Sequence, residues 1–352
     1  MTNPHHDADT VLVTGGSGFL GSWCLVELLR QGYRVRTTIR DQSREPEVRA
    51  MLAGQTDVGD RLSVFTADLM SDAGWKEAIG GCTYVLHVAS PFPPEQPKDP
   101  DELIVPAREG TLRVLRIALD ADVKRVVVTS SNAAVVNSRE QETGGAPYTE
   151  QDWTDPTNTE LTPYVRSKTI AEGSAWSLMA ERGELGRLAV VCPSAILGPV
   201  LSNDRSYSIQ VIERLLNGMP GTPRLGFSLV DVRDVADLHV KAMTAPAAAG
   251  QRFIAAGPFL WMAEVAAILR ERLGAEASKV PKRKVPDFVV KAMARFDPSL
   301  RSVVRDLGRQ RIVSNEKAKT QLGWQPRPIE ETIVDCAESL LRVREDAVQA
   351  AA

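Results

Sequence analysis

The chain has 352 residues, of which 43% are hydrophobic and 25% charged, and its formal net charge is −3. That length accommodates one large core with a smaller appended lobe. The mildly acidic balance excludes the overall basic character that nucleic-acid binding favours, and no run approaches the roughly 18 uninterrupted apolar residues of a membrane span. A small-molecule partner is therefore expected.

Residues 1–8 (MTNPHHDA) are polar and lack the apolar centre of a signal peptide. The next stretch, ADTVLVTGGSGFLG, joins a short apolar run (Val11, Leu12, Val13) to a glycine-rich turn that opens directly into an amphipathic helix. The strand ends at Thr14. Gly15 and Gly18 supply turn dihedrals that a Cβ would hinder, and Gly21 lets the helix starting near Phe19 approach the sheet. Free N–H groups at that helix start, from Phe19 and Leu20 onward, then face a pyrophosphate together with the helix dipole. Glycine-rich turns also occur as plain loops. Placed between strand and helix, this one reads as a dinucleotide site.

Residues 20–30 carry Leu20, Cys24 and Leu28 at helical spacing with Leu25 and Leu29 beside them, Gly32 stops the helix, and residues 33–39 alternate as a strand. Residues 62–67, 84–88, 125–129 and 188–192 read as further buried strands separated by helical or loop segments. Parallel strands joined by right-handed crossovers give a Rossmann-type α/β fold, a doubly wound parallel sheet with ligands at the carboxyl ends of its strands. The four cysteines, Cys24, Cys82, Cys192 and Cys336, form no CxxC pair. Their spacing argues against a zinc knuckle or redox dithiol and fits a reduced, cytoplasmic setting.

Past residue 197 the alternation lapses. A helix over 207–216, a return strand over 227–232, a helix over 233–243 and a short strand over 252–256 are followed by helix candidates at 261–273, 287–296, 315–322 and 329–341. The expected division is a dinucleotide-binding domain over residues 9–195, with return elements near 227–257, and a smaller mixed α/β substrate lobe over 196–226 and 258–345. The basic run KVPKRK at 279–284 reads as a solvated loop.

A second informative site lies where the strand at 125–129 delivers Ser130 and Ser131 and YVRSK follows at 164–168. Tyr164 and Lys168 are four apart, so on a helix they share a face, and a lysine ammonium there favours the phenolate and lowers the phenol's pKa. Such a phenol can protonate a developing alkoxide while a serine hydroxyl donates to the same oxygen. Arg40 is the first residue past the second strand, where the adenosine 2′ position lies. A guanidinium there favours a phosphate; Arg44 adds a possible second contact and Ser17 lies in the glycine turn, so NADP(H) is the expected cofactor. Asp41 follows immediately, and its carboxylate would favour the hydroxyls of NAD(H). His87 and His239 lack partners at ligand spacing; His87 reads as a satisfied core residue and no metal is expected. Phe92, Pro93 and Pro94 read as a loop over the site.

The segments TGGSGFLG, VRTTIRD, ADL at 67–69, HVASP at 87–91, VVVTSS, PYVRSK and VDVRDVADLH together resemble an extended short-chain dehydrogenase/reductase over nearly the whole chain. Within that superfamily the chain looks most like the dihydroflavonol reductase and cinnamoyl-CoA reductase group with its microbial aldehyde and ketone reductases. The resemblance implies Ser131, rather than Ser130, as the catalytic serine, Tyr164 as the proton donor, and Lys168 as tuner of Tyr164 and ligand of the nicotinamide ribose. It further implies Asp68 and Leu69 by the adenine, Val88, Ala89 and Ser90 by the adenine ribose and pyrophosphate, and Pro193 and Ser194 by the nicotinamide. Asp231 and Asp234 resemble a structural turn of the family and are assigned to helix capping and packing. Asn132 and Ala133 depart from the Ser-Ala-Gly of the plant members, at substrate-facing positions.

The expected function is NADP(H)-dependent reduction of an aldehyde or ketone to an alcohol by a monomer or homodimer. A nucleotide-sugar epimerase or dehydratase of the same fold is one alternative, the dehydratase disfavoured because Asn132 and Ala133 replace an acidic pair. A non-catalytic NADP-sensing regulator is the other, and it would require a broken Ser, Tyr and Lys set. That set is intact.

Overall fold

The computed structural model describes residues 9–91, 97, 99–141, 145–201, 206–296 and 304–350. Its strands are β1 (Thr10–Thr14), β2 (Arg34–Ile39), β3 (Leu62–Thr66), β4 (Tyr84–His87), β5 (Arg125–Thr129), β6 (Leu188–Pro193), β7 (Ala195–Leu197), β8 (Gly226–Asp231), β9 (Gln251–Ala255) and β10 (Phe259–Trp261). Its helices are α1 (Phe19–Arg30), α2 (Glu45–Ala53), α3 (Trp75–Ile79), α4 (Asp101–Asp120), α5 (Pro163–Glu181), α6 (Tyr207–Leu216), α7 (Val232–Thr244), α8 (Met262–Leu273), α9 (Asp287–Met293), α10 (Glu316–Leu322) and α11 (Ile329–Ala350).

Val11, Leu12 and Val13 are fully buried, which places β1 inside the sheet rather than at its edge. Seven strands pair in parallel in the order β3-β2-β1-β4-β5-β6-β9. Helices α1 and α7 pack on one face, α4 and α5 on the other. Strand order reverses between β1 and β4, so the crevice that such a sheet offers a ligand opens at the carboxyl ends of these two strands. Thr14, Gly15, His87 and Ala89 stand there.

The stretch at 227–232 departs from the expected return strand. Ser194 donates its N–H to the Ala255 carbonyl at 2.9 Å, the chain then turns out of the main sheet into β7, and β8 follows β7 in register. Strands β10, β8 and β7 form a separate three-stranded sheet, and β9 alone re-enters the large one. Trp261, expected in a helix, ends β10, and its N–H donates to Glu264 at 2.7 Å to cap α8. The helix expected at 329–341 continues to Ala350. Helix α4 contains Pro106 and Gly110, two poor helix formers that mask its period in the sequence.

Asp231 caps α7 by accepting the Arg233 N–H at 2.8 Å, as its position implied. Asp234 binds Arg327, while the buried Trp324 indole donates to the Asp234 carbonyl at 2.8 Å. These contacts tie the C-terminal segment to α7. The four cysteines are buried and unpaired. Among the described residues no helix is long and apolar enough to cross a membrane.

Candidate functional site

The glycine turn is shaped by three different constraints. Gly15 has φ +71°, the left-handed region that favours glycine. A Cβ on Gly21 would overlap the Gly15 carbonyl oxygen and stand 2.9 Å from its carbon, so α1 and the turn touch backbone to backbone. Gly18 caps α1 at φ −81°, ψ 164°, which any residue adopts. The dihedral reason expected for Gly18 is therefore corrected: a Cβ there would meet protein only at the Gly15 oxygen, 3.4 Å away, and otherwise fill the space before the helix. Ser17 is half-buried beside it. Phe19, Leu20 and Gly21 begin the helix, so their N–H groups have no intrahelical acceptor.

These geometries separate two variants. Gly21→Ala will lower stability by about 1–3 kcal/mol, since overpacking forces the backbone apart, and will appear as a lower unfolding temperature. Gly18→Val will leave the fold in place and weaken the dinucleotide, measured by fluorescence titration. Unchanged affinity in folded Gly18→Val would show that the turn is only structural.

Thr14, which carried no functional expectation, braces the crevice. Its hydroxyl oxygen accepts the N–H groups of Val88 and Ala89 at 3.0 and 2.9 Å and lies 3.0 Å from His87 Nδ1. Val88 packs against the core, while Ala89 and the half-buried Ser90 line the space beside Lys168. Gly16 was also missed: a Cβ there would stand 2.7 Å from Leu25 Cδ1, so Gly16 locks the turn onto the core. Burial holds His87 at a pKa of about 3 and His239 at about 4. Both are neutral core residues, His239 lying 2.8 Å from the Thr129 hydroxyl.

At the end of β2, Arg40 is exposed and, among the described residues, makes no hydrogen bond or ion pair. Asp41 is committed elsewhere: its carboxylate accepts the Ser43 N–H at 2.9 Å, which caps the following turn and holds its pKa below the usual value. Arg44 pairs with Glu47 at 3.0 Å in an exposed contact. Asp68 turns its carboxylate onto the Met70 N–H at 2.7 Å, and its carbonyl accepts the Trp75 indole N–H. Leu69 packs on Gly110 of α4, where a Cβ would stand 2.9 Å from Leu69 Cβ.

Strand β5 ends at Thr129 and delivers Ser130 and Ser131, whose hydroxyls go separate ways. The Ser130 hydroxyl donates to Glu172 at 2.5 Å. Ser131 accepts the Ala133 N–H at 3.1 Å and is hydrogen-bonded to the Tyr164 phenol. Thr162 caps α5, Pro163 occupies its first turn, and Tyr164 and Lys168 follow on one face. The lowered phenol expected from that spacing is not found. Burial raises the Tyr164 pKa and the Ser131 hydrogen bond opposes the rise, while the Lys168 ammonium lies 3.5 Å from the Thr129 carbonyl. Burial also lowers Lys168 to about 8. Pro193 ends β6, and the neighbouring Ser194 hydroxyl is buried with no partner among the described residues. Phe92, Pro93 and Pro94 lie outside the described residues.

The profile of the NAD dependent epimerase/dehydratase family matches residues 11–256, from the first strand through the last strand of the large sheet. The chain belongs to this family. It is 33% identical over 336 residues to a cinnamoyl-CoA reductase of Medicago truncatula, covering 94% of this chain and 95% of that one. It is 35% identical over 275 residues to a dihydroflavonol 4-reductase of Zea mays, covering 75% and 74%. Among solved structures it superposes on yeast methylglyoxal/isovaleraldehyde reductase Gre2 complexed with NADPH, with a TM-score of 0.79 at 25% identity, covering 96% of this chain and 99% of that one. As a member of this family the chain therefore shares near full-length similarity with reductases.

Proposed function

We propose that the protein is an NADP(H)-dependent reductase that converts an aldehyde or ketone to an alcohol, with Ser131, Tyr164 and Lys168 as its catalytic set. The observation that carries this reading is the hydrogen bond between Ser131 and the half-buried Tyr164 phenol at the carboxyl edge of the sheet, one helical turn from Lys168. Similarity to reductases over most of the chain supports the same reaction class.

The residues present fit the cofactor. The space before Gly18 accepts a pyrophosphate against helix N–H groups, the unengaged Arg40 suits a 2′-phosphate, and the unpartnered Ser194 hydroxyl awaits a polar group beside the nicotinamide position. When bound, the cofactor supplies a hydride. Ser131 orients the substrate carbonyl oxygen by donating a hydrogen bond to it. Tyr164 delivers its phenolic proton to that oxygen, and the raised pKa keeps the proton in place at neutral pH. The Lys168 cation then stabilises the phenolate left behind.

The test is an NADPH-oxidation screen over aldehydes, ketones and CoA thioesters, run beside a nucleotide-sugar panel. Turnover of a carbonyl compound supports the reading. Epimerisation of a nucleotide sugar with no carbonyl turnover replaces it with the epimerase alternative.

A further inference from the structure

The Ser131, Tyr164 and Lys168 cluster stands on a buried ion pair that none of the roles above uses. Glu172 lies one turn past Lys168 on α5 and is 1% exposed; Arg252 on β9 is 6% exposed. Glu172 Oε1 is 2.7 Å from Arg252 Nε and accepts the Trp176 indole N–H at 3.2 Å. Its Oε2 accepts from Arg252 Nη2 at 3.2 Å and from the Ser130 hydroxyl at 2.5 Å. Arg252 is fixed in turn by the carbonyls of Glu150 and Asp152 and lies 3.6 Å from the centre of the Trp153 ring. Lys168, Ser130 and Glu172 together line a cavity of about 10 Å³, the room of one water molecule. Buried ion pairs add little net stability compared with apolar packing, so stability does not explain this placement.

We propose that Glu172 is a positioning residue for the reaction: locked by Arg252, its carboxylate keeps the Lys168 ammonium charged and draws Ser130 away, so that Ser131 alone faces Tyr164. The inference rests on the reductase reading. Several groups surround Lys168. They are Tyr164 and Glu172 on its own helix, His87 on β4, Ser130 after β5, Cys192 on β6 and, at one remove, Arg252 on β9 through Glu172 and His239 on α7 through Thr129. From α4 only Ala107 and Thr111 reach the cavity. Burial keeps His87 and His239 neutral, pushes the Cys192 thiol up, and raises the Tyr164 phenol. Arg252 is already bound to Glu172. Two groups oppose the desolvation of Lys168, Cys192 first and Glu172 second; Glu172 is the carboxylate that lines the same cavity as the ammonium.

The sequence carries a readable trace of this arrangement. Glu172 follows Lys168 by four residues in KTIAE, which puts a carboxylate on the helix face that must be buried. Its partner Arg252 is 80 residues away, beyond the reach of any local pattern.

The experiment compares the wild type, Glu172→Gln and the double variant Glu172→Gln/Arg252→Met. Each is checked by thermal unfolding and NADPH fluorescence titration. The glutamine keeps an acceptor for Ser130 and removes the charge; the double variant avoids stranding a buried guanidinium and carries the test should the single variant fail to fold. The direct readout is the titration midpoint of Lys168 in ε-13C-lysine-labelled protein, its resonance assigned with Lys168→Ala. The second readout is the alkaline limb of kcat/KM. We expect both to move down by about one pH unit in Glu172→Gln, the scale of a lost nearby opposite charge, and by less in the double variant, where loss of the Arg252 cation offsets part of the change. A Lys168 midpoint unchanged from the wild type in a folded variant overturns the inference. Absence of carbonyl reduction by the wild type overturns the reductase reading instead, and the NMR midpoint still decides whether Glu172 sustains the charge of Lys168.

Discussion

Tyr164→Phe will lower kcat for carbonyl reduction by a factor on the order of 10²–10⁴, the usual contribution of a positioned general acid. NADPH affinity will stay nearly unchanged, because the lost hydroxyl acts on the substrate oxygen and not on the cofactor. The aromatic ring remains, so packing at the start of α5 is preserved. Lys168→Ala should instead damage both turnover and NADPH binding, since the resemblance places its ammonium on the nicotinamide ribose as well. The pH dependence follows from the same pair. Lys168 has a folded pKa lowered to about 8, so its cation is present below that value and lost as pH rises through it, whereas burial keeps the Tyr164 proton in place. Reduction should therefore decline on the alkaline side near the Lys168 pKa. Wild-type kcat retained by folded Tyr164→Phe would falsify this mechanism.

Arg40→Ala will erode the preference for NADPH over NADH, chiefly by weakening NADPH. A charge-assisted hydrogen bond is worth about 1.5–3 kcal/mol, or roughly tenfold to a hundredfold in affinity. Arg40 is exposed, so rising ionic strength should narrow the wild-type preference. One carboxylate oxygen of Asp41 caps the turn at Ser43, which leaves only the other to accept ribose hydroxyls. Arg44, held to Glu47 through Nε and Nη2, can share the phosphate, which softens the loss without abolishing it. The check is kcat/KM for each cofactor, wild type and variant, at low and moderate salt. Equal losses for both cofactors would indicate a folding defect, and a wild type that prefers NADH would return the pocket to Asp41.

The parts of this molecule that were legible in the sequence are those with short-range causes. The apolar run at Val11, Leu12 and Val13, the stop at Gly32 and the valines of β5 each follow a local periodicity, and the seven-stranded parallel sheet follows from their alternation with helices. The second sheet was not legible, because β7 and β10 have three residues each and their pairing with β8 is set by a turn at Ser194. In the site, the spacing of Tyr164 and Lys168 revealed a shared helix face but not the environment of the phenol. Burial, a tertiary property, governs that pKa. The same holds for Ser130 and Ser131, whose equivalence in sequence is broken only when Glu172 takes one of the two hydroxyls. Thr14 escaped notice because its role is to bind the end of β4, 74 residues away at Val88.

The central claim is that a hydride passes from NADPH to a carbonyl carbon while Tyr164 protonates the oxygen. It is tested most directly with NADPH deuterated at the transferring position of the nicotinamide, incubated with a carbonyl substrate found in the screen. Mass spectrometry of the product reads the outcome. The account predicts an alcohol carrying deuterium at the carbinol carbon, formed in step with NADPH consumption and nearly abolished in Tyr164→Phe. An alcohol without deuterium, or deuterium transfer undiminished in folded Tyr164→Phe, would contradict it.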